Sequence, residues 1–218
     1  MTRFAVIRWT IFAAALVPAA ALVYWLFTRN LTANPIDFIT DWTGTTALVF
    51  LVISLAVTPL RRLSAWNEVI KLRRMLGLFA FFYACLHVST WMILDWFFDF
   101  ASMAADVVKR PFITLGMTTF LLLLPLALTS TAGMIRRLGR RWTQLHRLVY
   151  LAAITATIHF WWVVKADFRE PRWFAVAVAI LLTFRVWWVW GPKFRSVLGI
   201  KDGKMASHPT EPGGLLQG

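Results

Sequence analysis

Histidine is the residue type in this sequence that is best suited to metal or redox chemistry. The chain has four histidines. Three of them, His87, His146 and His159, lie within or at the ends of long uncharged stretches, and His208 lies near the C-terminus. A titratable side chain inside a hydrocarbon layer is costly, so it is a functional candidate by default. Apolar surroundings favour the neutral imidazole, which is the form that binds metals.

The positions of two histidines predict a shared iron site. His87 follows Arg73 and Arg74 by 14 and 13 residues, which places it about 20 Å from the inner surface of a membrane. His159 precedes Lys165 by six residues and lies at a similar depth, on a helix that runs in the same direction. Two neutral imidazoles at one depth can bind an iron from opposite sides, as the axial ligands of a b-type haem do.

His146 indicates a second, inner site. It lies 13 residues before His159, which is about 20 Å nearer the inner surface. On an ideal helix the two side chains point about 140° apart, so the sites face different sides unless the helix is distorted. No second histidine matches this depth. The groups there that could hold propionates or a phosphate are Arg73, Arg74 and Arg141.

Simpler roles for these residues stay open. A histidine inside a membrane can form an interhelical hydrogen bond and nothing more. A proton pathway is disfavoured, because no Asp or Glu falls within a predicted span. Gly77 and Gly116 suit close helix packing or a flat porphyrin. Three tryptophans fit an aromatic belt at the outer interface: Trp91, Trp161 and Trp162.

The composition indicates an integral membrane protein. Of the 218 residues, 59% are hydrophobic and 15% are charged, and the mean hydropathy is +0.65. A soluble domain is nearer half apolar and a quarter charged. The single cysteine excludes a disulfide framework and a zinc site built from paired cysteines.

Uncharged stretches of about 20 residues predict an all-α bundle of six transmembrane helices. The chain leaves no room for a separate soluble domain, and no internal repeat at a fixed period is evident. Residues 1–198 are expected to form one transmembrane haem-binding domain, and 199–218 a disordered cytoplasmic tail. The predicted spans are 9–28, 42–60, 75–94, 111–135, 142–164 and 173–190.

The charge distribution predicts the orientation. With both termini cytoplasmic, 17 of the 23 basic residues and three of the ten acidic residues lie inside. This bias accounts for the net charge of +13 without nucleic acid, although a basic face could also contact anionic lipid. The first helix could instead be a cleaved signal peptide, but its apolar run is longer than a signal core and favours an uncleaved anchor.

The sequence contains no nucleotide fingerprint and no Ser-His-Asp constellation in a soluble domain. If the chain does redox work, it carries electrons and a partner performs the catalytic chemistry.

Several segments, taken in order, resemble the MsrQ (YedZ) family of haem-binding membrane subunits. The likeness covers roughly residues 34–165, whereas the first helix and the final segment match in character alone. The segments that carry it are 44–48, 58–60, 73–77, 85–87, 109–116, 128–131, and 142–150 followed by His159.

The resemblance implies a ferric-reductase-like transmembrane domain in the bacterial inner membrane. Such a subunit passes electrons from the quinone pool or a cytosolic flavin reductase through haem b to a periplasmic molybdopterin methionine-sulfoxide reductase (MsrP-like), which repairs oxidised periplasmic proteins. It implies one haem b or two, and FMN. His87, His146 and His159 match the family's histidines, and Arg73 stands where the wider superfamily has a fourth.

Two other functions stay open at this point. One is a self-contained ferric or quinone reductase of the same superfamily, with no dedicated partner. The other is a membrane scaffold or transporter without a cofactor.

Overall fold

A computed structural model describes residues 3–28, 31–164 and 169–197, and every regular element in these ranges is helical. A 3-10 turn (Asn67–Lys71) precedes α3, and a π-helical turn (Trp91–Asp95) follows it. The α-helices are α1 (Arg3–Thr28), α2 (Pro35–Ser64), α3 (Leu72–Thr90), α4 (Phe100–Lys109), α5 (Pro111–Leu128), α6 (Ala132–Leu138), α7 (Arg140–Leu145), α8 (Leu148–Val163) and α9 (Arg169–Val197).

Five helical segments in the described ranges are long and apolar enough to cross a membrane. This confirms the all-α, multi-pass prediction. The fifth predicted span, 142–164, is not among them: its longest helix is α8, whose 16 residues rise about 24 Å, less than the thickness of about 30 Å of a hydrocarbon core. The count of six spans and the cytoplasmic termini therefore stay predictions. The five segments are Arg3–Thr28, Pro35–Ser64, Asn67–Asp95, Pro111–Leu128 and Arg169–Trp188.

Two predicted spans differ in extent from the helices observed. The stretch 111–135 is divided, because α5 ends at Leu128 and the hydroxyls of Thr129 and Ser130 donate back to backbone carbonyls of its last turn. Thr131 then caps α6 by accepting from the backbone N–H of Met134. The stretch 142–164 is also divided, because a turn at residues 146–147 separates α7 from α8.

Helix α2 begins earlier than its predicted span, and a loop contains an additional helix. Asn34 caps α2, and Pro35 occupies its first turn, where a missing N–H costs nothing. The N-terminal part of α2 therefore includes acidic residues that the predicted span 42–60 leaves out. The outer segment 95–109, expected as a loop, contains α4, which Asp99 caps by accepting from the N–H of Ser102.

Two antiparallel hairpins form the centre of the fold. Helix α2 packs against α3, with Phe50 stacked on both Phe79 and Tyr83. Helix α5 packs against α8, with the hydroxyl of Thr119 bonded to that of Thr155 at 2.7 Å. The hairpins meet where Phe81 of α3 stacks on Phe120 of α5.

Helix α1 packs on the first hairpin. The Tyr83 hydroxyl donates to the carbonyl of Ala15 at 2.7 Å and accepts from the N–H of Ala19 at 3.1 Å, so it bridges two backbone groups of α1. The indole N–H of Trp42 donates to the carbonyl of Pro18 at 3.0 Å. Pro18 itself lies within α1 without ending it.

The helices up to Phe184 form one compact unit. Residues from Arg185 onward form a second unit, of which the structure describes the last turns of α9. The predicted tail, 199–218, lies outside the described residues. Large apolar side chains on the outer surface of the first unit, such as Phe27 and Leu121, are exposed, as a lipid-facing surface requires.

Candidate metal centre

The structure brings His87 and His159 together between the two hairpins. Their ring centres lie 6.1 Å apart, and the ring planes are inclined by 76°. His87 projects from the C-terminal half of α3, and His159 from the C-terminal half of α8. In the predicted orientation this is the outer end of both hairpins. Both side chains line one cavity.

One nitrogen of each ring is held by a backbone carbonyl of the partner helix. Nδ1 of His87 lies 3.0 Å from the carbonyl oxygen of Thr40 on α2, and Nδ1 of His159 lies 2.6 Å from that of Phe112 on α5. A carbonyl only accepts, so each Nδ1 carries the hydrogen and donates it. In the neutral ring Nε2 then carries no hydrogen, and its lone pair can bind a metal.

The separation of the rings fits one metal between them. A metal–imidazole bond is about 2 Å long, and each ligating nitrogen lies about 1.1 Å from its own ring centre, so a bridged pair has ring centres about 6 Å apart. The observed 6.1 Å agrees with this value. No group of three or more His, Cys, Asp or Glu side chains in the described ranges could hold a metal ion. A haem iron needs no such group, because the porphyrin supplies its other ligands.

The cavity around the two rings has the size and lining of a cofactor site. Its volume is about 550 Å³, within the range of about 300–1,000 Å³ usual for ligand pockets. Its body is apolar and suits a flat macrocycle. The apolar lining includes Leu48, Leu51, Ala84, Phe120, Leu123 and Ala156.

Three buried polar atoms that line this cavity have no hydrogen-bond partner among the described residues. They are Oγ1 of Thr40, Nε1 of Trp91 and Oδ2 of Asp106. Trp91 lies one helical turn beyond His87, and the other oxygen of Asp106 accepts from Nε of Arg110 at 2.7 Å. Unpaired buried polar groups are rare, so these three atoms are candidates to pair with the polar groups of a ligand.

These polar residues were missed by sequence reasoning. Trp91 was assigned to an interfacial belt, although its spacing of four residues from His87 places both on one helix face. Asp106 belongs to a segment expected to be a surface loop, yet it is only 5% exposed. Its spacing of four residues from Arg110 was the available signal.

Comparison with known proteins identifies the family. Residues 43–157 match the family described as ferric reductase like transmembrane component. The protein-methionine-sulfoxide reductase heme-binding subunit MsrQ of Herminiimonas arsenicoxydans is 54% identical over 191 residues, which are 86% of this chain and 88% of the relative. The subunits of the same name from Ralstonia nicotianae and Rhodospirillum rubrum are 50% and 48% identical, over 84% and 82% of this chain and 86% of each relative. The chain belongs to the MsrQ family. No solved structure gives a significant match.

In this MsrQ-family chain the two hairpins repeat one arrangement. The sequence shows no evident repeat, but the structure corrects this, because each carbonyl–histidine pair is separated by 47 residues and the second pair follows the first by 72. The corresponding positions are Thr40 with Phe112, Gly44 with Gly116, Ala80 with Ala152, and His87 with His159.

The opposite end of the MsrQ-family bundle, which is the inner end in the predicted orientation, holds His146 in a different environment. It lies in the turn between α7 and α8, half-buried, with its ring 3.8 Å from that of Trp142. Nδ1 lies 3.0 Å from the carbonyl oxygen of Trp142, and Nε2 lies 3.4 Å from Oγ of Ser130. Both ring nitrogens therefore have protein partners.

The three predicted arginines do not line the cavity of His87 and His159. Arg73 is half-buried and close enough to His146 for its charge to act on the imidazole. Arg74 and Arg141 are exposed. The structure thus brings together His87 and His159, and separately places Arg73 near His146.

Proposed function

We propose that this MsrQ-family chain is a transmembrane electron-transfer subunit that holds haem b between His87 and His159. The observation that carries the proposal is the pair of imidazoles 6.1 Å apart, each with Nδ1 bonded to a carbonyl. The relatives' name, heme-binding subunit, supports the same cofactor. A bound haem supplies a one-electron carrier inside the membrane.

The chain's own residues hold and insulate the cofactor. The carbonyls of Thr40 and Phe112 fix the orientation of the imidazoles, and the apolar lining of the cavity excludes water. Thr40 and Trp91 supply unpaired donors in the lining of the cavity, and Arg110 also lines it, with its Nε paired to Asp106. Such donors suit the carboxylates of a haem.

The proposed direction of transfer is outward. With both termini in the cytoplasm of a bacterium, the two histidines lie in the outer half of its inner membrane. Electrons would enter from the quinone pool or a cytosolic flavin reductase. They would leave to a periplasmic molybdopterin subunit that reduces methionine sulfoxide. The relatives' name, which describes a subunit of a protein-methionine-sulfoxide reductase, supports the last of these features, the reduction of methionine sulfoxide. The outer segment 95–109, which contains α4, is the proposed docking region for that subunit.

The inner end is proposed to serve a second cofactor. His146 would contact it, and its anionic groups would be held by Arg73, Arg74 and Arg141. A second haem or FMN would fill this role, and the case for FMN comes from resemblance to the family.

A cofactor assay on the purified full-length protein tests the proposal. Pyridine-haemochrome and flavin measurements should give at least one haem b per chain. The absorption spectrum of the untreated protein should be that of a six-coordinate, low-spin iron. Protein without a Soret band would contradict the proposal and favour a scaffold or transporter. Rapid reduction of iron chelates or quinone without any partner would favour a self-contained reductase.

A further inference from the structure

We propose that Gly44 and Gly116 are positioning residues, each of which lets a histidine ring rest directly on a helix backbone. The inference depends on the proposed haem function, because the two rings are the proposed axial ligands. Each glycine leaves a backbone carbonyl accessible to the histidine ring. A larger residue at either position would block that access.

The space beside each glycine is already filled by a histidine ring. A β-carbon at Gly44 would lie 2.9 Å from both Cε1 and Nδ1 of His87. A β-carbon at Gly116 would lie 2.9 Å from Cε1 and 3.0 Å from Nδ1 of His159. Carbon atoms in favourable contact are about 3.5–4.0 Å apart, so an alanine at either position would collide with the ring.

Helix geometry explains why a glycine is needed at this spacing. A side chain on an α-helix leans toward the N-terminus and covers the turn before it. The residue four positions after a carbonyl therefore shields that carbonyl from a neighbouring helix. Gly44 follows Thr40 by four residues, and each helix carbonyl has a second lone pair beyond its helical hydrogen bond. With no side chain at position 44, that lone pair is open to Nδ1 of His87.

The second hairpin has the same geometry. Gly116 follows Phe112 by four residues, and Phe112 is the carbonyl that accepts from Nδ1 of His159. Each glycine also precedes its histidine by 43 residues. Because the same contact occurs in both helix pairs, it belongs to the ligand site and is not incidental packing of one helix.

The glycines act on the iron through the histidines. A hydrogen bond from Nδ1–H to a carbonyl fixes the ring and makes Nε2 a more basic ligand. In an alanine variant the backbone carbonyl stays in the helix, so the ring must move and this bond weakens. A less basic ligand stabilises ferric iron less, so the reduction potential of the haem should rise.

The test compares Gly44→Ala and Gly116→Ala with Gly77→Ala in the full-length, haem-loaded protein. Gly77 lies on α3, as His87 does, but it does not line the cavity of His87 and His159, and a β-carbon there would meet nothing within 4 Å. Loss of an outer-shell partner typically weakens metal binding about 10–100-fold, so haem retention should fall at least about tenfold in the first two variants. Their remaining haem should show a raised reduction potential and an altered low-spin electron paramagnetic resonance spectrum. Gly77→Ala should match the wild type in all three measurements.

The outcomes separate this inference from the proposed function. A wild-type protein without haem overturns the proposed function. A wild-type haem spectrum and potential in both Gly44→Ala and Gly116→Ala overturn the positioning role alone. Alanine favours helix more than glycine does, so the haem-free variants should keep wild-type circular dichroism. A loss of helical signal would also overturn the positioning role, because it would show that the glycines serve folding.

Discussion

The two hairpins are alike at their outer ends and different at their inner ends. At the outer ends, α2–α3 and α5–α8 each supply a carbonyl, a glycine and a histidine in matching positions. At the inner ends, the position that matches His146 is Arg74. A site between two helices needs a ligand from each side, so the comparison teaches that the outer end can bind an iron symmetrically and the inner end cannot.

The middle of the hairpins also differs. In the second hairpin Thr119 and Thr155 bond to each other, whereas the matching residues of the first hairpin are Ala47 and Tyr83. Tyr83 turns its hydroxyl to α1 instead. The first hairpin therefore carries an additional helix, and the second hairpin is joined internally.

The largest expected effect tests the likeness of the outer ends. His87→Ala and His159→Ala should each reduce haem occupancy by more than about 100-fold, beyond the loss typical of outer-shell partners, because each removes one of the two proposed iron ligands. The measurement is the Soret absorbance per chain after purification. A wild-type spectrum in either variant would break the proposed pairing.

The next effect tests the difference at the inner ends. His146→Ala should leave the spectrum of the outer haem unchanged, because both nitrogens of His146 are engaged away from that cavity. Any second haem or FMN should be lost. Haem and flavin counts per chain measure this, with His159→Ala as the contrasting variant. Loss of the outer haem in His146→Ala would show that His146 belongs to the same site as His87 and His159, and would contradict the separation of two sites.

A smaller effect tests the link between the first hairpin and α1. Tyr83→Phe removes a buried hydroxyl with two partners and should lower the free energy of unfolding by about 1–3 kcal/mol. Thermal unfolding in detergent measures it. The control is Tyr24→Phe, since Tyr24 is 62% exposed. Equal stability of the two variants would remove Tyr83 as the anchor of α1.

The smallest effect concerns the internal bond of the second hairpin. Thr119→Val should cost about 0.6 kcal/mol and at most about 1.7 kcal/mol, the range of interhelical hydrogen bonds in membranes. The cost is small because the Thr155 hydroxyl can still donate to a carbonyl of its own helix. Exposed Thr118 provides the control, Thr118→Val. If Thr119→Val lowered the free energy of unfolding more than Tyr83→Phe does, the expected order of the two effects would be wrong.

Sequence reasoning could find what depends on hydrophobicity and helical rise. Uncharged stretches located the membrane-spanning helices, and the rise per residue put His87 and His159 at one depth. The break at 146–147 was not predictable, because it contains no glycine or proline and depends on a contact between a ring and a backbone carbonyl. The break at 129–131 had a signal in its Thr-Ser-Thr cluster, because these residues favour loops and helix N-caps.

The acceptors of the two histidines were also beyond the reach of sequence patterns. A contact between a side chain and a backbone carbonyl of another helix depends on how closely the helices pack. Nothing in the identity of Thr40 or Phe112 indicates it, because the carbonyl is common to every residue. The repeat is also hard to detect in the sequence, because the two hairpins share the glycines, the histidines and few other residues.

Because His87 and His159 belong to different hairpins, a metal bound to both ties together segments that are 72 residues apart. Such a metal would cross-link the two hairpins reversibly, and its binding free energy would add to the stability of the folded bundle. In a cell short of iron, the protein would then lack its haem absorbance and would also have a lower free energy of unfolding. The supply of the cofactor would thereby set how long the chain survives in the membrane.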